Sequence, residues 1–212
     1  MTQAPVGPMM QAPMSPETTV RTIAVIGAGT AGHSFALTVA CAGFHVVLED
    51  VMPANLRKAE ADFADMGHRA EAALRQGRLS LALTVEDAVR EADLAIDFVP
   101  DELESKLEIF SMIDRMAPPR TILCTPSYAL SITDLASCVY RPERCFALRG
   151  ALISPSDLPL RVLHTASADV AALAATEGFL KALGLLAQTE LDPDAPMLVK
   201  NLALPVLTDL VQ

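Results

Sequence analysis

The chain has 212 residues, 51% of them hydrophobic and 20% charged, enough for one sizeable α/β domain with a single core. A formal net charge of −10 argues against non-specific binding to nucleic acid and disfavours an anionic membrane surface. No run approaches the roughly 18 apolar residues that span a bilayer, and no basic, continuously apolar leader reads as a signal peptide.

Residues 1–19 are rich in Pro and polar residues and read as a disordered leader. The apolar run Ile23-Ala24-Val25-Ile26 then leads into Gly27-Ala28-Gly29-Thr30-Ala31-Gly32, followed by an Ala-rich helical stretch. A second apolar run, Val46-Val47-Leu48, ends in Glu49-Asp50. Strand, glycine turn, helix, strand and acid is the order of a dinucleotide-binding unit. Gly27 permits the tight turn, Gly29 lets the backbone approach a pyrophosphate, and Gly32 lets helix and strand pack closely. The helix start offers unpaired N–H groups to phosphates, and the acid accepts from a ribose diol. The competing explanation is a structural βαβ unit without a ligand.

Pro53 to Gln76 repeats apolar residues at three- and four-residue steps and predicts a helix, with Gly67 placed to split it. Leu81–Thr84 predicts a strand, 86–91 a short helix and Leu94–Val99 a buried strand. Asp101–Met116 predicts a helix stopped by Pro118-Pro119, Thr121–Thr125 a strand and Ser131–Ser137 a helix. Cys145–Leu148 and Leu160–His164 read as strands, and Asp169–Leu183 as a helix capped by Gly184. Leu185–Thr189 reads as a last strand, and 196–212 as helical apart from an interruption at Pro205. Strands alternating with helices predict a doubly wound, mainly parallel sheet. The four cysteines form no C-x-x-C pair and no metal-ligand spacing, so they read as reduced thiols of a cytoplasmic protein with no metal site.

Four segments in order, IAVIGAGTAGHSFAL with VVLED, LAIDFVPDELESKLEIF, LSITDLASCVYRPERC and PMLVKNLAL, carry a family resemblance. Across about residues 21–204 the chain resembles the NAD-binding domain of 3-hydroxyacyl-CoA dehydrogenases. The resemblance implies a Rossmann domain over residues 20–191 and, over 192–212, the start of a helical domain whose remainder would lie beyond Gln212. It implies NAD, with Asp50 disfavouring the 2′-phosphate of NADP; Glu49 fits an FAD-type pattern less well. By the match, Gly27, Ala28, Gly29, Thr30, Ala31, Gly32, Asp50, Val99, Pro100 and Thr125 belong to the cofactor side. Asp101 and Lys106 fall on the family's acid and lysine near the nicotinamide ribose, and Arg57 carries little weight.

The catalytic side departs from the family. There a histidine in His-Phe-Phe-Asn-Pro takes the hydroxyl proton while hydride passes to the nicotinamide. A glutamate orients that histidine, and a serine and an asparagine bind the substrate oxygen. The histidine position falls on Arg149, the glutamate on Leu163 or, with a one-residue slip, Val162, and the serine on Tyr128. Asn201 matches the asparagine. Tyr128 reads either as a proton donor, assisted by Lys106, or as a plug in the emptied cleft. Arg149 reads either as an anion fork or as a partner of Asp157 or Asp101. His164 reads as a surface residue at a strand end, and His33 as a helix-start residue without a chemical role.

These residues predict an NAD(H)-binding oxidoreductase by descent that is poor or inactive on 3-hydroxyacyl-CoA. Its rivals are a non-catalytic NAD(H)-sensing or partner-docking module, and a reductase of another small substrate using Tyr128 or Arg149. The substrate is open, with an acyl-CoA among the candidates. The apolar C-terminal helix (Leu198, Leu202, Leu204, Val206, Leu207, Leu210 and Val211) predicts a homodimer through that helix.

Overall fold

Thr22–Ile26 (β1) is a run of short apolar residues in which four of five side chains are buried. A strand buried on both faces belongs inside a parallel sheet. β1 pairs in parallel with β2 (His45–Glu49) on one side and with β4 (Leu94–Asp97) on the other. The computed structural model describes residues 18–69, 77–153 and 158–193, and these form one eight-stranded sheet. β3 (Arg78–Ala82), β5 (Ile122–Pro126), β6 (Cys145–Arg149), β7 (Leu160–His164) and β8 (Ala187–Leu191) complete the order β3-β2-β1-β4-β5-β6-β7-β8. Every neighbouring pair is parallel except β6 with β7. The chain runs outward from β1 to β3, then restarts beside β1 at β4 and runs outward the other way. The strand order reverses there, and the carboxyl ends of β1 and β4 diverge into a crevice.

Alternate residues of each strand feed two cores. Ile23, Val25, Val46, Ile96, Phe146 and Leu148 pack under α1 (Thr30–Cys41), α2 (Pro53–Arg69) and α6 (Val170–Ala182), which bring Phe35, Leu56 and Phe179. Ala24, Ile26, Ala95, Leu123, Ala147 and Leu163 pack under α3 (Val85–Val89), α4 (Leu103–Met116) and α5 (Ile132–Ala136), which bring Val89, Phe110 and Leu135. Side-chain caps start three of the helices. Thr84 accepts from the Asp87 N–H, Ser131 from that of Asp134, and Asp169 from those of Ala171 and Ala172. Gly184, at φ +77°, follows the end of α6 in the left-handed conformation its position requires.

The mainly parallel doubly wound sheet is as expected, with boundary shifts. α2 continues through Gly67 rather than breaking there; residues 70–76 of the expected helix lie outside the described residues. β3 starts at Arg78, three residues early, because its register against His45–Glu49 sets it rather than its own apolar content. β8 lies two residues later than expected, since Leu160 aligns with Ala187. Thr18 is already buried and caps the Val20 N–H, so the fold begins inside the expected leader. The expected helix and dimer stripe over 196–212 lie outside the described residues. Among the described residues, no helix is long and apolar enough to cross a membrane.

Candidate functional site

The turn after β1 meets three different demands with three glycines. Gly27 has φ +96°, a left-handed conformation that costs glycine nothing. A Cβ on Gly32 would lie 1.9 Å from the Gly27 carbonyl oxygen, so only hydrogen fits where α1 crosses the turn. A Cβ on Gly29 would meet nothing within 4 Å, which leaves the backbone open on that side. Gly29 also caps α1 without a side-chain bond, and the first turn of α1 carries no acid. Its unpaired N–H groups and helix dipole therefore remain for an anion. The cradle fits a dinucleotide pyrophosphate.

Asp50 fixes this turn to the end of β2. Its buried carboxylate accepts from the N–H groups of Ala28 (2.8 Å) and Met52 (2.7 Å) and from Nδ2 of Asn55 (3.1 Å). Beside it, burial and the Asp50 charge push the Glu49 carboxyl above its ordinary value, against the pull of the Gly27 N–H. A cleft of about 420 Å³ opens here, lined by Ala28, Gly29, Thr30, His33, Ser34, Asn55 and Lys58. His33, expected to be without a role, lines this cleft with Nε2 3.1 Å from Asp62. Asn55 and Lys58 escaped the sequence reading. Their three-residue spacing on the helix directly after the acid was the available signal.

On the other side of the turn lies a cleft of about 290 Å³, lined by Ala31, Phe98, Pro126, Tyr128, Leu148, Gly150, Ala151, Leu152 and Ile153. Phe98, unremarked in the sequence, follows the last residue of β4 and packs on Phe35 with ring centroids 5.2 Å apart. Val99 and Pro100 line a separate groove against α4. Below the cleft, Lys106 is 1% exposed. Its Nζ donates to Asp97 Oδ1 (2.8 Å), to Thr125 Oγ1 (2.8 Å) and to the Val99 carbonyl (3.4 Å). Burial pushes the Asp97 carboxyl up, opposed by the Lys106 ammonium and by hydrogen bonds. Lys106 and Thr125 thus face each other in the interior. Asp101 is exposed and accepts the Tyr128 N–H (3.0 Å).

Strand direction sorts the candidate catalytic residues. Tyr128 is 80% exposed and lines the smaller cleft. Its expected helper, Lys106, is engaged with Asp97 and Thr125 instead. Arg149 stands between Leu148 and Gly150 on β6, and its Nη2 donates to the Leu130 carbonyl (2.8 Å) on the α5 side of the sheet. Its register partner on β7 is Arg161, bound to Glu190 through Nε (2.7 Å) and Nη2 (2.8 Å). Val162 and Leu163, at the glutamate position, are buried in opposite cores. The antiparallel course of β7 carries His164 to the start of β6, opposite Phe146 and away from both clefts. Asn201 and Asp157 lie outside the described residues.

A parallel sheet with a glycine turn at its switch point and a cleft on each side of that turn defines a dinucleotide-binding Rossmann domain. Residues 22–155 match the family model described as 3-hydroxyacyl-CoA dehydrogenase, NAD binding domain. The chain belongs to the 3-hydroxyacyl-CoA dehydrogenase family and carries its NAD-binding domain. It is 35% identical over 138 residues to a probable 3-hydroxybutyryl-CoA dehydrogenase of Bacillus subtilis, covering 61% of this chain and 48% of that protein. It is 28% identical over 195 residues to a 5-formyl-3-hydroxy-2-methylpyridine 4-carboxylate 5-dehydrogenase of Mesorhizobium japonicum, covering 89% and 62%. A diketoreductase structure, described as performing substrate-directed dual catalysis of dicarbonyl compounds, superimposes with a TM-score of 0.73 at 25% identity, over 87% of this chain and 69% of that one. The chain spans between about a third and two thirds of the length of the curated relatives it matches first.

Proposed function

We propose that the chain binds NAD(H) across the glycine turn and does not perform the family's imidazole-based dehydrogenation of 3-hydroxyacyl-CoA. The adenosine half lies toward Asp50, Asn55 and Lys58, and the nicotinamide half toward Phe98 and Tyr128. One observation carries the second part of the reading, the placement of Arg149. A guanidinium stays protonated at every working pH and has no acceptor, so it takes no proton from an alcohol. Arg149 is also hydrogen-bonded to Leu130, and Arg161 beside it is held by Glu190. NAD supplies, when bound, a hydride acceptor at the nicotinamide ring.

Calorimetric titration with NADH tests the first part, with Gly29→Asp as the control. The unmutated protein is expected to bind. The variant should lose binding at least a hundredfold while melting no lower, because its side chain enters open space and its charge suits a helix start. Acetoacetyl-CoA with NADH tests the second part. Negligible NADH consumption is expected, and robust consumption would overturn it.

A second reading, reduction of another small carbonyl compound, is favoured by the Tyr128 phenol in the same cleft as Ala31 and Phe98. The likeness to a diketoreductase supports it.

A further inference from the structure

The cleft on the nicotinamide side has a one-sided chemistry. Among the described residues its walls are Ala31, Phe98, Pro126, Leu148, Leu152 and Ile153, with no Asp, Glu, Lys, Arg or His side chain in the lining. Tyr128 is the one lining residue among those described whose side chain carries a polar group. Strand alternation keeps the nearest guanidinium out. Leu148 packs in the core under α1 and Ala147 in the core under α5, so Arg149 projects on the α5 side, toward Leu130. Gly150, at φ +140°, turns the chain over the cleft, and a Cβ there would press on Leu160 at 3.1 Å. The wall that follows, Ala151-Leu152-Ile153, is apolar. An anion entering such a space gives up hydration and gains no counter-charge from the described walls.

We propose that this cleft takes a small, uncharged, apolar carbonyl compound, a ketone or aldehyde. The Tyr128 phenol donates a hydrogen bond to its oxygen, and carboxylate-bearing analogues of the same size are excluded. The proposal rests on the reading that the nicotinamide half of NAD(H) lies on this side of the glycine turn, and it narrows the substrate class of the second reading above.

Isobutyramide, a neutral carbonyl compound that is not reduced, and isobutyrate, its charged counterpart of the same shape, are the probes. Both are titrated by calorimetry into the full chain, with and without saturating NADH. The amide should bind at least tenfold more tightly than the acid. Tyr128→Phe, on an exposed side chain, should keep the melting temperature and weaken the amide about threefold to tenfold, the worth of one hydrogen bond. Equal or tighter binding of isobutyrate, or no binding of either probe, overturns the proposal. The NADH titration alone reports on the underlying reading. Because the amide-to-acid ratio is also measured without NADH, the two failures are distinguishable.

Discussion

The two clefts flanking the glycine turn open on the same sheet edge but depend on different parts of the chain. On the Asp50 side the work is done by backbone. Gly27 must be left-handed, Gly32 must lack a Cβ, and the Ala28 N–H is held by the Asp50 carboxylate. Few residue types satisfy such demands, so the pattern either survives whole or the turn is lost. On the Tyr128 side the family's chemistry depends on single side chains projecting from strand ends. There Arg149 and Arg161 occupy strand ends whose backbone pairing is ordinary, and Glu190 satisfies Arg161. Exchanging such side chains costs the fold little. Cofactor binding and the family reaction are therefore separable in this architecture, as the proposed function requires.

The largest expected effect comes from the ion pair beneath the second cleft. Lys106→Met would leave the Asp97 carboxylate buried without its cation, which costs about 3–5 kcal/mol. The urea midpoint should fall accordingly, and the double change Asp97→Leu with Lys106→Met should recover most of the loss. If the single variant instead keeps its midpoint and loses NADH affinity, Lys106 belongs to the cofactor contacts that the family resemblance implies. The boundary between the two sides would then move.

A smaller effect separates two glycines of the turn. Gly32→Ala drives a methyl into the Gly27 carbonyl, and a displacement of that kind costs about 1–3 kcal/mol. Gly29→Ala adds the same methyl in open space on an extended backbone, so stability should stay within about 0.5 kcal/mol. NADH affinity should nevertheless fall, because the methyl stands where the pyrophosphate approaches. Melting and NADH titration of both variants decide it. If Gly29→Ala binds NADH like the parent, the pyrophosphate does not lie against Gly29.

The same division governs what could be read from residues alone. The glycine turn, its acid and the alternation of strands and helices are local patterns, and they appear where the spacing put them. Long-range placement was hidden. Leu160–His164 reads as a strand in either direction, and only its antiparallel entry beside β6 shows that His164 ends at the wrong edge for catalysis. The buried pairing of Lys106 was not read either: the first turn of α4 points it inward at Asp97, nine residues back. That acid inside an otherwise apolar strand was a signal for a buried partner. Leu185-Leu186 drew the last strand too early, since pairing with β7 rather than hydropathy fixes β8, and Leu186 is exposed.

The smallest predicted effect is a pH dependence at Glu49, on the Asp50 side. Burial and the neighbouring Asp50 charge raise the Glu49 carboxyl in the folded protein. The folded state then holds that proton more tightly than the unfolded chain. The resulting stabilisation is full below the unfolded carboxyl value, about 4.3, and is lost as pH rises through the raised folded value. Glu49→Gln keeps the size and hydrogen-bonding capacity while removing the charge. It should melt above the parent at pH 7, and the gap should close as pH falls toward 4. Paired melting curves from pH 4 to pH 7 measure the gap. A gap that stays constant with pH would show that the folded protein holds the Glu49 proton no more tightly than the unfolded chain does.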